Sequence, residues 1–310
     1  PGGRAGERDH ELSGGGMMNE DPGYPSWAET PSRRPRAVIL QRREAEAPLG
    51  KQLVERIAGQ LDVVDVGVEL ENPEVLDDVD FLVVLGGDGS ILHAAQQMGS
   101  RQRPVIGINL GRLGFLAAIS PGEVESALAS IVSGDCTIQS HLMLQCSLIR
   151  GEEVLNLQLG LNEAAIRVGT PFSLLDIDLY VDSKLATTYS CDGLIISTPV
   201  GSTAHSLSAG GPILRKTMQA FVIAAISPHT LTVRPVVDSA ERVFEMRVRE
   251  ADVAASLVVD GQLLARLEPD DRVRVERASE SFQLIEVGGH DDYDTLREKL
   301  DWGGRIRQKK

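Results

Sequence analysis

The sequence predicts an α/β fold, with an N-terminal doubly wound α/β domain followed by a C-terminal all-β, sandwich-like domain. Three observations carry that expectation. Apolar runs alternate with helical periodicity as far as Gly134, and after it the apolar period falls to two. The third apolar run then ends in a loop of glycines wrapped around one carboxylate, Gly86-Gly87-Asp88-Gly89. Ligands of doubly wound sheets sit beyond the carboxyl ends of the strands, where this loop falls.

The elements follow in order. Residues 1–34 are expected to be a disordered extension, because the stretch is rich in Gly, Pro, Ser and charge and has no continuous apolar core of a secretory signal. The α/β domain spans 35–135. Arg36 to Gln41 reads as a short strand, and Leu49, Leu53, Ile57 and Leu61 mark one face of a helix with Pro48 near its first turn. Val63 to Leu70 and Asp80 to Leu85 are strands, the latter covered on both faces by its unbroken apolar run. A helix over Ile91 to Met98, a strand over Pro104 to Asn109 and a helical stripe from Val124 to Val132, ended near Gly134, complete the alternation. The β-rich domain spans 136–286. Leu142 to Ile149, Ile177 to Val181, Phe244 to Val248 and Val273 to Val275 alternate as half-buried strands, and Asp260-Gly261 signals a hairpin. Residues 287–310 form a tail with an amphipathic segment from Tyr293 to Trp302.

Composition narrows the class. The chain is 42% apolar and 25% charged, and no apolar run approaches a membrane span. A net charge of −14 argues against a nucleic-acid surface, and it means that an anionic ligand needs local help against the global field. Cys136, Cys146 and Cys191 are widely spaced with no C-x-x-C pair, which fits a reducing cytoplasm rather than a disulfide framework or a zinc site. The expected location is cytoplasmic, with no nucleic-acid or membrane partner.

Two stretches carry the chemistry. In Gly86-Gly87-Asp88-Gly89-Ser90, glycines let backbone approach a ligand, and the helix start that follows offers N–H groups to phosphate oxygens. The plain alternative is a tight strand-to-helix turn with Asp88 as its polar cap. The second stretch follows Asp192-Gly193 and an apolar strand. Four serines, two threonines and three glycines fall between Ser197 and Gly211, more than a strand exit needs.

With Asn162-Glu163, Leu110 to Leu116, Ser227 to Pro235 and Asp260-Gly261-Gln262, these stretches resemble the NAD kinase family, and they occur in its order along nearly the whole chain after the extension. The resemblance implies phosphorylation of the 2′-hydroxyl of the adenosine ribose of NAD. ATP would be the donor and a divalent cation, Mg²⁺, would be held mostly by phosphates and water, without a dedicated set of protein ligands. It implies that Gly86, Gly87 and Gly89 cradle phosphates, with Ser90 in the place of the usual threonine, and that Asp88 takes the hydroxyl proton. It also implies that Asn162 and Glu163 bind adenine and ribose, and that Asp192 binds a ribose or the carboxamide. Thr203, Ala204, His205, Ser206 and Ser208 match the dinucleotide-binding run, and Gln262 belongs to the matched hairpin motif. His93, one turn into the helix, faces phosphates or solvent. His229 is a candidate substrate contact across a subunit interface of a homo-oligomer, a dimer or tetramer, and the tail is expected to return to the first domain.

Taken alone, Asn162-Glu163 also reads as a polar hairpin end, Asp192 as a strand-start turn and His229 as a loop histidine capping a strand. Arg112 and Arg234 read as structural ion-pair partners. Two departures from the family stand out. His205 occupies the place of a tyrosine, and Ser190 that of a basic residue. A lipid kinase of the diacylglycerol or sphingosine type shares the glycine loop but lacks the long Asp192 to Pro212 run. A non-catalytic dinucleotide sensor would gain nothing from Asp88, and a Rossmann dehydrogenase would need G-x-G-x-x-G.

Overall fold

The structure, a computed structural model, describes residues 25, 27, 33–41, 48–111, 114–169, 174–249, 254–288 and 292–300. The first half contains β1 (Arg36–Gln41), α1 (Pro48–Ala58), β2 (Asp62–Gly67), a 3-10 turn over Pro73–Asp78, β3 (Phe81–Leu85), α2 (Asp88–Met98), β4 (Val105–Ile108) and α3 (Val124–Ser133). The four strands pair in parallel in the order β2-β1-β3-β4. Alternate residues of β3 serve two cores, as its unbroken apolar run requires. Leu82 and Val84 pack with Ile91, Ala94 and Met98 of α2. Phe81, Val83 and Leu85 pack with Leu53 and Ile57 of α1 and Leu128 and Ile131 of α3. Helices therefore cover both faces. The chain leaves β1 for one edge and β3 for the other, so the switch point, where such sheets bind ligands, lies between these two strands.

Two boundaries differ from expectation. β2 stops at Gly67 rather than Leu70 because it is an edge strand, half exposed and paired only with β1. α2 begins at Asp88, three residues before Ile91, with Gly87 as an extended N-cap. That shift puts the carboxylate in the first helical turn, where a negative charge suits the helix dipole. Gly134 ends α3 as expected, in the left-handed conformation at φ 79°.

The second half supplies β5 (Thr137–Arg150), β6 (Glu153–Gly160), β7 (Glu163–Val168), β8 (Leu175–Val181), β9 (Lys184–Cys191), β10 (Gly193–Ser197), the one-turn helix α4 (His205–Ser208), β11 (Ala220–Ile226), β12 (Val236–Ser239), β13 (Phe244–Val248), β14 (Ala255–Val259), β15 (Gln262–Leu267), β16 (Arg272–Glu286) and α5 (Asp292–Leu300). One antiparallel sheet runs β12-β11-β10-β7-β14-β15. It packs on strands β5, β8, β13 and β16 through an apolar core that includes Ile166, Ile196, Phe221, Phe244 and Val275. The Asp260-Gly261 hairpin is present, with both central residues at positive φ, 48° and 79°.

β16 is the element that period-two reading of Val273 to Val275 did not reveal. Its first half pairs with β13 inside the sandwich. Its last turn of sequence pairs in parallel with β4, Leu284 opposite Val105. The parallel sheet and one sandwich layer are therefore a single ten-stranded sheet. Phe282 and Leu284 of β16, with Met143 of β5 and Leu159 of β6, belong to the same core as α2. The expected boundary at 135/136 thus separates two patterns of sequence but not two cores. Of the expected extension, Trp27 is not loose. It is buried, its Nε1 donates to the Ile131 carbonyl at 2.9 Å, and its ring lies 5.1 Å from Phe81. Among the described residues no helix is long and apolar enough to cross a membrane.

Because β16 completes both cores, Phe282→Ala should weaken the whole chain. Phe282 is fully buried, and deleting such a ring costs about 3–5 kcal/mol. Guanidinium unfolding should show one transition shifted to lower denaturant by fluorescence and by circular dichroism alike. Two separated transitions would mean that the halves fold independently of β16.

Candidate active site

β3 delivers the chain to Gly86, whose N–H donates to the Ile108 carbonyl of β4 at 2.9 Å. The glycines that follow are not demanded by the fold. A Cβ at Gly87 or Gly89 would meet nothing within 4 Å, and neither residue has a positive φ. The plain turn reading gives no reason for glycine at either place, whereas a ligand pressed against the backbone does. The first N–H groups of α2 also lack intrahelical acceptors, as at any helix start.

The Asp88 carboxylate is held by backbone donors. Its Oδ2 accepts from the Phe115 N–H at 2.7 Å, and its Oδ1 accepts from the Leu116 and Ala117 N–H groups at 2.9 and 3.1 Å. Gly114 permits that approach, since a Cβ there would run into the Asp88 carboxylate. The Leu110 to Leu116 motif therefore acts as a clasp on Asp88. Its Arg112 and Leu113 lie outside the described residues. An ionised carboxylate has about four lone-pair positions, and the three N–H groups leave one, on Oδ2. Lys299 Nζ of α5 stands 3.7 Å from that oxygen. Sequence reasoning missed this contact, since nothing in the tail marks Lys299 among its charges.

Gly89, Ser90 and His93 open onto a cavity of about 360 Å³, lined also by Gln41, Glu69, Gln97 and Gln262. Ser90 Oγ, Gln41 Oε1 and Gln97 Nε2 are buried there without a protein partner. The structure thus brings Gln262 of the β14–β15 hairpin to the glycine loop, at the switch point between β1 and β3.

Asp260, at the tip of that hairpin, organises the second group. Its carboxylate accepts from the N–H groups of Leu161, Asn162 and Glu163 at 2.7, 2.8 and 3.0 Å. The Gln96 side chain of α2 bonds it too. Glu163 is buried beside it, with Oε2 lacking a partner. Burial first, and the charge of Asp260 second, push the Glu163 carboxyl up to about 8. Burial also raises Asp260, but its backbone donors oppose that rise. The acid wired to donors keeps the negative charge, so Glu163 holds the proton at neutral pH and offers an O–H as well as an acceptor. The Asn162 carbonyl is spent on the fold, accepting from the Thr198 N–H at 2.8 Å.

The serine-rich stretch divides in two. Ser202 Oγ donates to the Pro199 carbonyl at 2.6 Å and Thr203 Oγ1 to the Val200 carbonyl at 3.1 Å. These hydroxyl protons shape the loop instead of reaching outward, so Thr203 can meet a ligand only as a hydrogen-bond acceptor. Ser206 Oγ is buried without a partner, and Ser208 is exposed. Ala204 precedes His205, which opens α4. Burial, then the charge of Arg167, lower the His205 pKa, so the ring is neutral at pH 7. Thr203 borders a further cavity of about 350 Å³ with Phe115, Arg215, Tyr293 and Leu296.

Asp192 and His229 are not brought to this group. Glu163 pairs with Ser197 at the far end of β10, whereas the Asp192 N–H bonds the Ile226 carbonyl at the near end. A five-residue strand separates them, about 17 Å at 3.3–3.4 Å per residue. His229 sits with Asp192, its N–H donating to the Ser190 carbonyl at 2.9 Å. Ser190 Oγ bonds the Asp176 carboxylate. Arg234, expected in an ion pair, instead donates to the carbonyls of Leu231 and Val233. Among the described residues no group of three or more His, Cys, Asp and Glu could hold a metal ion.

A doubly wound half fused to a β sandwich, with a glycine loop and a clasped carboxylate at its switch point, has the parts of a nucleotide-binding site. Comparison with known proteins narrows this class. Residues 51–136 match the model of the ATP-NAD kinase N-terminal domain, and residues 161–287 that of the C-terminal domain. The chain is 58% identical over 229 residues to an NAD kinase of Rhodopirellula baltica, covering 74% of each. It is 41% identical over 240 residues to one of Geobacter sulfurreducens, covering 77% of this chain and 84% of that protein. A solved yeast NADH kinase complexed with NADH superposes with a TM-score of 0.78 over 90% of this chain and 91% of its own, a likeness of fold at 22% identity. An Archaeoglobus fulgidus NAD kinase in complex with ATP gives 0.69 at 27% identity, over 86% and 98%. The chain belongs to the ATP-NAD kinase family, enzymes that phosphorylate NAD. The lipid-kinase and sensor alternatives gain no support from these matches.

The Glu163 proton has a consequence for stability. A carboxyl raised in the folded state stabilises fully below its unfolded value of about 4.3, and that contribution is lost as pH climbs to about 8. Glu163→Gln, which never ionises, should therefore be more stable than the parent above pH 8, by on the order of 5 kcal/mol. The gap should close towards pH 5. Melting temperatures of both proteins from pH 5 to 9 check it, and parallel curves would mean that Glu163 is ionised throughout.

Proposed function

We propose that the site performs direct phosphoryl transfer from ATP to the 2′-hydroxyl of the adenosine ribose of NAD, with Asp88 as general base. The observation that carries the reading is the open lone pair of Asp88 Oδ2 beside two glycines whose Cβ positions are empty. The acceptor hydroxyl donates to Oδ2. Its oxygen attacks the γ-phosphorus in line, the bond to the β-phosphate oxygen breaks with its electron pair leaving on ADP, and the proton passes to Asp88. A carboxylate is a weak base towards an alcohol, but the hydroxyl acidifies as its bond to phosphorus forms. The three N–H groups hold Asp88 still, so positioning supplies much of the rate.

The remaining residues bind and orient. Gly86, Gly87 and Gly89 let triphosphate oxygens reach the N–H groups that open α2, and Ser90 and His93 border the same cavity. The protonated Glu163 donates to a ribose oxygen, Asn162 uses its side-chain amide on adenine, and the neutral His205 ring stacks on the base. Mg²⁺ suits a site that gathers triphosphate oxygens without a cluster of protein ligands among the described residues. It would be coordinated chiefly by the phosphates and water, and it neutralises their charge when bound. Asp192, with His229 close by, lies at the end of β10 away from Glu163. They act on a neighbouring protomer's dinucleotide in a cytoplasmic homo-oligomer.

NADP formation from NAD, ATP and Mg²⁺ tests the reaction. Asp88→Asn should keep the fold and lower turnover by about 10²–10⁴. Wild-type turnover in the folded variant would sink the base assignment. His205→Tyr should lower the Michaelis constant for NAD with little change in turnover, through added stacking area. A raised constant together with slower turnover would give His205 a role of its own.

A further inference from the structure

We propose that Lys299 of α5 is a catalytic cation that donates a hydrogen bond to an oxygen of the transferred phosphoryl group. This rests on the reading of Asp88 as the base. Three features of the structure support it. Lys299 Nζ stands 3.7 Å from Asp88 Oδ2, beyond hydrogen-bond length. An oxygen about 2.8 Å from both atoms fits between them. The hydroxyl that donates to Oδ2 would occupy that point, and the phosphorus bonded to it brings phosphoryl oxygens against the ammonium.

The second feature is how the ammonium is held. Nζ lies 4.2 Å from the centroid of the Phe115 ring, within range of a cation–π attraction. The N–H of the same Phe115 bonds Asp88 Oδ2 at 2.7 Å. One residue thus fixes the base with its backbone and the cation with its ring, which sets their separation. The third is electrostatic. At 23% and 31% side-chain exposure and without a hydrogen bond, the pair is a weak staple for α5. α5 is docked instead by the buried Thr295 and Leu296. A chain of net charge −14 repels a triphosphate, and a local cation at the transfer point offsets that where charge develops. Lys299 lies beyond residue 287, where the C-terminal family model ends, so the matched domains do not contain it.

In the transfer step Lys299 keeps its three protons. It donates to a phosphoryl oxygen while the acceptor oxygen bonds to phosphorus, the bond to the β-phosphate oxygen breaks, and the acceptor proton goes to Asp88. The test uses the full chain and three variants. Lys299→Met keeps the stem against Phe115 and removes the charge. Its kcat for NADP formation should fall about 10²-fold, the loss typical of one transition-state donor. The Michaelis constant for NAD and the melting temperature should stay near those of the parent. Lys299→Arg should keep a large part of the turnover. Lys299→Ala should regain activity when ethylammonium is added, and not with sodium chloride at the same ionic strength. A Lys299→Met enzyme within twofold of the parent kcat, or a Lys299→Ala loss that ethylammonium does not restore, overturns the proposal. Full turnover in Asp88→Asn would instead fail the base assignment, whatever the lysine variants do, so the two failures are separable.

Discussion

The clasp on Asp88 is the constraint on which the rest of the site depends. Three consecutive N–H groups, from Phe115 to Ala117, converge on one carboxylate at the start of α2. Convergence of that kind requires the loop after β4 to approach the helix start without a side chain between them. Gly114 makes this possible, as does Gly107, where a Cβ would press on Ile91 and Ala117. The carboxylate cannot swing, so whatever it acts on must come to its one open lone pair. Gly87 and Gly89, whose Cβ positions meet nothing within 4 Å, flank Asp88 in the chain at the switch point of the parallel sheet.

A second acid held by three backbone N–H groups does the complementary work. Asp260 gathers the turn before β7, the β14–β15 hairpin and the Gln96 side chain of α2 around one carboxylate. Since three of its partners are backbone N–H groups, it fixes geometry across the cleft whatever side chains sit nearby. Glu163 then finds itself beside a charge already satisfied and takes the proton instead. Two neighbouring carboxyls with different partners thus end up in different states, one held by backbone donors and one raised and without a partner on Oε2. β16 supports both halves mechanically, since it joins the parallel sheet to the sandwich.

Much of this was legible in the residues. Apolar runs and helical spacing place every strand and helix of the first half, and Asp-Gly foretells the hairpin whose two positive φ values only such residues adopt easily. The glycine loop, Asn162-Glu163 and the serine-rich run were each recognisable as site material. The rest depends on distance in space, which spacing along a chain does not encode. Fifteen residues of β16 alternate like any half-buried strand, and nothing in their order tells that the last of them pair with β4. The hydroxyl of Thr203 looks outward in a sequence, yet it bonds its own loop. Asp192 is close to the run it precedes only in number, because a straight strand carries the chain away from it. Lys299 is one charge among several in a short helix until the fold sets it over Phe115.

The most direct test of the account is a crystal structure with NAD and an ATP analogue whose terminal phosphate cannot transfer. The account predicts the 2′-oxygen of the adenosine ribose about 2.6–3.2 Å from Asp88 Oδ2, with the N–H groups of Phe115, Leu116 and Ala117 still on the carboxylate and the γ-phosphorus in line beyond the oxygen. A ribose hydroxyl bound to a different base, with Asp88 filled on all sides by protein donors, would contradict it.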